Sequence, residues 1–335
     1  MKKKLLALTL AALMAMSLAA CGGQSSTEPA QESKEPEAAE PAAQTFTIGI
    51  CQLVQHPALD AATQGFRDAV VEALGEENVT FVEQNASGDS ATCTTICGQF
   101  VTDGVDLILA NATPALQAAS AATGSIPILG TSVTEYGVAL GIDGFDGTVG
   151  TNVSGTSDLA PLDQQAAMVK ELFPDAKTVG LLYCSGEANS QYQVDTVKGY
   201  LEDLGYACTL YSFVDSNDVT SVTKTACDSN DVLYIPTDNT AASNTEAINN
   251  VAKPAGVPVI TGEEGICAGC GVATLSISYY DLGVATGKMA VKVLTGESNI
   301  SEMPIEYAPQ FTKKYNADLA DALGVTIPEG YEAIA

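Results

Sequence analysis

The 335-residue chain carries 41 acidic against 14 basic residues, a formal net charge of -27 at pH 7, with 46% hydrophobic residues. This balance excludes nucleic acid and anionic lipid head groups as partners of the folded body, because either requires a basic surface. The acid excess suits cationic ligands or simple solubility, and the length allows one large or two medium lobes.

In chain order, Lys2-Lys3-Lys4 precedes an apolar stretch from Leu5 to Ala20, which closes on Leu18-Ala19-Ala20-Cys21. Positive residues, a short apolar core and small residues make a secretory signal, and the run is too short to span a bilayer comfortably. The tetrad is similar to a bacterial lipobox. That resemblance implies a signal peptide over 1–20, lipidation of Cys21 as the new N-terminus, and residence on the extracytoplasmic face of the cell membrane. A plain cleaved signal with an incidental cysteine also places the body outside the cytoplasm. From Gly22 to Gln44 the chain is Gln, Ser, Glu, Pro and Ala, without aromatic or β-branched apolar residues to offset its ordering entropy, so 21–45 reads as a disordered tether.

Apart from Cys21, the cysteines are even in number, in a compartment where disulfides persist. Cys93 and Cys97 sit at helical spacing, and Cys267-Ala268-Gly269-Cys270 forms a CxxC. With one CxxC and one histidine, His56, the sequence gives no zinc pattern. Buried thiols or a local disulfide fit better, and Gly265, Gly269 and Gly271 around the CxxC read as a loop, not a redox-active helix start. No cofactor is expected.

The body alternates short apolar runs with amphipathic stretches, the pattern of parallel sheets covered by helices. It does so twice. Strand Phe46 to Cys51, a loop, helix Ala58 to Leu74 and strand Val79 to Gln84 have a counterpart in strand Thr178 to Tyr183, a loop, helix Gln191 to Leu204 and strand Ala207 to Phe213. Asp106 to Ala110 and Ile126 to Gly130 are likewise matched by Asp231 to Ile235 and Val257 to Thr261. The fold class is therefore α/β, two Rossmann-like lobes with a cleft at the carboxyl ends of their strands. Such lobes suit hinge closure around a small molecule.

Several segments carry a resemblance. His56-Pro57-Ala58-Leu59-Asp60 opens the first helix, Asn111-Ala112-Thr113-Pro114-Ala115 follows the third strand, and Asn152-Val153-Ser154-Gly155-Thr156 marks a lobe crossing. Glu187-Ala188-Asn189-Ser190, Pro236-Thr237-Asp238-Asn239-Thr240 and the tail from Tyr315 to Pro328 complete the set. In this order, behind a lipobox, they resemble the ABC-transporter substrate-binding lipoproteins of the type I periplasmic-binding-protein fold, especially the subgroup with tryptophan- and tyrosine-binding members. The resemblance implies a three-segment hinge near Asn152 to Asp158, Ala273 to Ser278 and Met303 to Pro309. Lobe 1 then comprises 46–155 plus about 278–305, and lobe 2 comprises 156–277 plus about 306–335. It also implies an ABC permease and an ATPase as partners.

The cleft loops supply the candidate ligand-binding residues. Asn111 and Thr113 stand at a first helical turn whose free N–H groups suit a ligand carboxylate, with a plain N-cap as the alternative. Asp238, Asn239 and Thr240 sit at the equivalent place in the second lobe, and the Asp238 carboxylate suits a ligand ammonium or an N-cap. Thr131, Ser132 and Glu263 end the fourth strands, and Asn189 and Ser190 lie at a strand's carboxyl end or cap the next helix. His56 lies near the cleft by position and reads as a hydrogen-bonding or packing residue. Of Tyr136, Tyr279 and Tyr280, adjacency allows only one of the last two to face the cleft.

GxSxG, P-loop, post-strand GxGxxG and HExxH are all missing, so no enzyme is expected. The resulting expectation is a lipid-anchored extracytoplasmic receptor that binds an amino acid or similar zwitterion for import. The amino-acid preference, aromatic above all, comes from the resemblance. A sugar or nucleoside receptor of the same fold, a surface sensor and a hydrolase using scattered carboxylates stay open alternatives.

Overall fold

The computed structural model describes residues 44–334. The signal peptide, Cys21 and nearly all of the tether lie outside those residues. Among the described residues no helix is long and apolar enough to cross a membrane.

The first lobe begins β1 (Phe46–Gln52), α1 (Pro57–Leu74), β2 (Val79–Asn85), α2 (Ser90–Asp103) and β3 (Leu107–Asn111). It continues with α3 (Thr113–Ala122), β4 (Ile128–Val133), α4 (Tyr136–Leu140) and β5 (Val153–Ser157). These strands lie parallel in the order β2-β1-β3-β4-β5. Every residue of β3 is buried, as expected where helices cover both faces of a parallel sheet.

The second lobe repeats the design. Its elements are α5 (Leu162–Leu172), β6 (Thr178–Cys184), α6 (Ala188–Asp203), β7 (Ala207–Phe213), α7 (Val219–Cys227) and β8 (Val232–Ile235). The short α8 (Asn239–Ala242) follows, then α9 (Thr245–Ala255), β9 (Val259–Thr261), α10 (Glu264–Cys270) and β10 (Ala273–Ser276). Strand order β7-β6-β8-β9-β10 matches the first sheet. In each lobe the order reverses beside the first strand, and the carboxyl ends at such a switch point form a crevice.

The chain then returns. Helix α11 (Tyr279–Leu294) packs on α1 with almost no space between backbones: a Cβ at Gly283 would stand 2.0 Å from the Ala62 carbonyl oxygen, and one at Gly65 2.1 Å from that of Tyr280. Glycine is required at both because neither neighbour is a side chain that can turn away. Beyond α11, β11 (Glu306–Tyr307) extends the first sheet beside β5, and β12 (Thr312–Tyr315) joins the second sheet antiparallel to β10. The chain closes with α12 (Ala317–Leu323) and β13 (Glu332–Ala333), the latter parallel to β12.

The lobe boundaries differ by a few residues from those expected. Val153–Ser157 stays in the first sheet, paired with β4, so the first crossing starts at Asp158 and not inside 152–156. Ala273–Ser276 belongs wholly to the second sheet, which leaves 277–278 as the second crossing. Glu306–Tyr307 remains in the first sheet, so the third crossing is 308–311. In each case strand pairing persists to the edge of the cleft.

All eight cysteines among the described residues are free thiols, and none forms a disulfide. The CxxC is not a loop, because Cys267 and Cys270 lie on α10 directly after β9. Burial raises both thiol pKa values, which disfavours the reactive thiolate. The glycine that misleads here is Gly269, where a Cβ would meet Thr245 Oγ1 at 2.3 Å, so it serves close packing of α10 on α9.

Candidate functional site

A small cavity lies between the lobes where the carboxyl ends of both sheets face each other. Its volume is about 10 Å³, roughly that of one water probe, so a solute of amino-acid size enters only when the lobes part. From the first lobe it is lined by His56, the residue before α1, by Leu59, and by Ser132 of β4. Asp158 lines it from the first crossing, and Tyr279 from the start of α11, directly after the second. Asn189 on α6, Thr237, Asp238 and Asn239 after β8, Ala242, and Glu263 before α10 line it from the second lobe. No lysine or arginine is among them.

Three of the lining side chains, Asp158, Asp238 and Glu263, are acidic, and two of these are already committed. Asp238 caps α8: Oδ1 accepts from the Ala241 N–H at 2.8 Å and Oδ2 accepts from the Cys184 N–H at 2.6 Å. Glu263 caps α10, accepting from the N–H groups of Gly265 and Ile266. Glu187, buried just outside the cavity, takes the remaining first-turn donors of α8, the Asn239 N–H at 3.0 Å and the Thr240 N–H at 2.9 Å, together with both residues' side chains. These carboxylates satisfy helix N-termini, whose N–H groups otherwise lack partners. Burial, with Glu187 nearby, still pushes the Asp238 pKa up to about 7, and burial does the same for Glu263.

Asp158 differs. Its Oδ2 accepts from the Tyr279 hydroxyl at 2.9 Å, a bond that joins two hinge crossings, while its Oδ1 has no partner. Burial raises its pKa, opposed by the nearby Thr134 hydroxyl and the hydrogen bond from Tyr279.

Six buried side-chain atoms lack a hydrogen-bond partner among the described residues. Four of them, His56 Nδ1, Ser132 Oγ, Asp158 Oδ1 and Asn189 Oδ1, belong to residues lining this cavity. Each such atom costs about 1–3 kcal/mol when left unpaired, so their concentration in one place points to a polar molecule that supplies the missing bonds. Ser132 adds a second cost, because it holds a left-handed backbone with φ 53°. Its hydroxyl is thereby directed where the fold itself makes no use of it.

The lobes also touch through one hydrogen bond. His56 Nε2 lies 3.3 Å from Asn239 Oδ1, across 183 residues of sequence. Burial lowers the His56 pKa, against the opposing pull of Asn239, Glu187 and Asp60.

Of the residues expected from sequence, His56, Ser132, Asn189, Asp238, Asn239 and Glu263 line the cavity. Thr240 instead lines a wider cavity of about 370 Å³ between the lobes, which adjoins the first at Asn239. Asn111, Thr113, Thr131 and Ser190 are buried but are not among the lining residues. Asn111 donates to the Leu59 carbonyl and Thr63 Oγ1, fastening β3 to α1. Thr131 accepts from Thr156, and Ser190 accepts from Asn189. Asp238 performs the capping role, and its two backbone donors leave it poorly placed to serve as the main partner of a ligand ammonium. Sequence reasoning missed Asp158, whose signal is a carboxylate directly after the last strand of a lobe, at a crossing. Tyr279, not Tyr280, faces the cleft, while the Tyr280 hydroxyl donates to Asp68 at the surface and the Tyr136 hydroxyl donates to the Thr156 carbonyl.

Residues 47–335 match the family model described as ABC transporter substrate binding protein. The chain is 35% identical over 324 residues, 96% of its length and 92% of the other's, to a tyrosine-binding protein of Clostridioides difficile strain R20291. Among solved structures, an ABC domain from Streptococcus pneumonia in complex with L-Trp is 32% identical with a TM-score of 0.83, covering 87% of this chain and 100% of that one. A ligand-free, open substrate binding protein from Clostridium difficile is 38% identical but has a TM-score of only 0.66, covering 87% and 99%. The better superposition belongs to the less identical, ligand-bound relative.

The strain and the free hydroxyl at Ser132 generate a separable pair of effects. Ser132→Gly should leave stability within about 1 kcal/mol of the parent, since it relieves the left-handed Cβ and gives up no hydrogen bond. It should weaken ligand binding about tenfold, one hydrogen bond's worth. A lowered melting temperature with unchanged affinity in titration calorimetry would instead assign this hydroxyl to the fold.

Proposed function

Because the chain belongs to the ABC transporter substrate binding protein family, we propose that it captures an α-amino acid, preferably aromatic, between its lobes and delivers it to an ABC permease for import. The observation that carries this reading is the group of four unpartnered buried polar atoms in an acidic cavity without lysine or arginine. An ammonium answers the acidic character, with the free Oδ1 of Asp158 as its charge partner. The ligand carboxylate is assigned to the Ser132 hydroxyl and the adjoining first turn of α3, which has no side-chain cap and starts at Thr113. Ala112, the residue before it, hydrogen-bonds to the carbonyl of Thr131, beside Ser132.

An aromatic side chain would find apolar surface on Leu59 and Tyr279, and on Leu53, Val54 and Pro114 of the adjoining wider cavity. The tyrosine-binding relative and the L-Trp complex support this preference. No group in the cavity is paired as a nucleophile and base, so the reading involves reversible binding and no covalent step. Closure serves it directly, because polar contacts made between parted lobes strengthen as water leaves.

In the same reading Cys21 carries the lipid, the tether spans from membrane to body, and the protein works on the extracytoplasmic face of the cell membrane with permease and ATPase subunits. Cys21→Ser should release the chain from the membrane fraction and remove the lipid mass from its N-terminal peptide. An unmodified, soluble parent chain would overturn the anchor.

The ligand assignment is tested by a thermal-shift screen of amino acids, sugars and nucleosides. A ligand at about 100 times its dissociation constant adds roughly 2.7 kcal/mol, a clear rise in melting temperature. The expected responders are L-tyrosine, L-tryptophan or L-phenylalanine, and a response confined to sugars or nucleosides would overturn the amino-acid assignment.

A further inference from the structure

The unpartnered atoms of the cavity are not a random mixture of donors and acceptors. Asn189 directs its Nδ2 to the Thr237 carbonyl at 3.1 Å and towards Glu187 and Ser190, which leaves Oδ1 as the free end. Asn239 donates through Nδ2 to Glu187 at 2.6 Å, so its Oδ1 accepts from His56 Nε2 across the cleft. That network assigns the imidazole proton to Nε2 and leaves Nδ1 with a bare lone pair. Asp158 Oδ1 is the third free acceptor. All three residues are more than nine-tenths buried, with exposures of 7% for His56, 3% for Asp158 and 4% for Asn189.

We infer that His56 Nδ1, Asp158 Oδ1 and Asn189 Oδ1 form a three-acceptor cradle for an unsubstituted primary ammonium, an inference that rests on the amino-acid reading above. A primary ammonium carries three N–H donors, one for each acceptor, and its charge matches Asp158. The acceptors come from the first lobe, a hinge crossing and the second lobe, so filling the cradle draws the lobes together. A trimethylated nitrogen has no N–H donor and an acylated one keeps a single, uncharged N–H, so either leaves buried acceptors unpaired, the condition under which a polar site rejects an analogue most strongly.

The cradle requires a neutral His56. Protonation would convert Nδ1 from acceptor to donor and set a cation against the ammonium. The groups facing His56 are Asp60 on α1, Glu187 beyond Asn239, and Asp158, Asp238, Glu263 and Tyr279 around the cavity. Its carboxylate neighbours favour the charged ring, but burial prevails and holds its pKa below the ordinary value. Affinity should therefore be full near neutral pH and fall as pH drops through the His56 pKa. Protonation of Asp158 acts in the same direction, so the histidine's share must be isolated by substitution.

The experiment is calorimetric titration of the full chain, in detergent, with L-tyrosine and L-tryptophan, and with N-acetyl- and N,N,N-trimethyl-L-tyrosine. L-tyrosine should bind, and both substituted analogues should bind at least about 100-fold more weakly. Between pH 7.5 and 4.5, His56→Gln, which keeps an acceptor but cannot titrate, should lose fewer-fold in L-tyrosine affinity than the parent. Analogues that bind as well as L-tyrosine would overturn the cradle while leaving the receptor intact. Coincident pH profiles for His56→Gln and the parent would remove His56 from it. Failure of both unmodified amino acids to bind would overturn the reading and the cradle together.

Discussion

Helix N-termini decide which acidic side chains of this protein remain free. The first turns of α8 and α10 open directly into the cleft, and their unpaired N–H groups need acceptors that water no longer supplies once the lobes close. Asp238, Glu187 and Glu263 meet that need with hydrogen bonds from backbone nitrogen. What survives is a cavity rich in carboxylates in which one, Asp158, keeps an uncommitted oxygen. The site's selectivity follows from this division of labour, because a surplus of free carboxylates would attract any cation, whereas one free oxygen among neutral acceptors specifies a geometry.

The same residues connect binding to motion. Asp158 opens the first crossing and Tyr279 directly follows the second, so their hydrogen bond ties the two crossings together at the wall of the cavity. Helix α11, which starts at Tyr279, is held against α1 by glycines that permit backbone contact. The second crossing is therefore anchored to the first lobe at the end where α11 begins. His56 sits at the start of α1 on that wall and reaches Asn239 in the second lobe. In the proposed reading a ligand held on the first lobe and hinge would complete contacts across the cleft, which is how differential affinity shifts a two-state equilibrium.

Much of the architecture was legible in the sequence because it is written in periodicity. Short apolar runs such as Leu107–Ala110 and Val232–Ile235, alternating with amphipathic stretches, read as central parallel strands, and their duplication with the flanking helices announces two lobes. The switch-point rule then directs attention to loops that contain His56, Asn189, Asp238 and Asn239, all of which meet at the cleft. What local pattern does not encode is the destination of each carboxylate. Asp238 reads from its local pattern as a cap and, by the resemblance, as a ligand partner, while its second oxygen goes to the Cys184 N–H, 54 residues away. Asp158 was missed because it lies just past β5, a stretch that the sequence reading took for a lobe crossing and not for a strand. The CxxC was misjudged because Gly269 signals a loop locally yet serves packing against Thr245.

The central claim is that an amino acid closes the two lobes by satisfying these free acceptors. Small-angle X-ray scattering of the protein with and without saturating L-tyrosine tests it most directly. The account predicts a particle that contracts on addition, to the dimensions of the closed arrangement described above. A scattering curve that L-tyrosine leaves unchanged would contradict it.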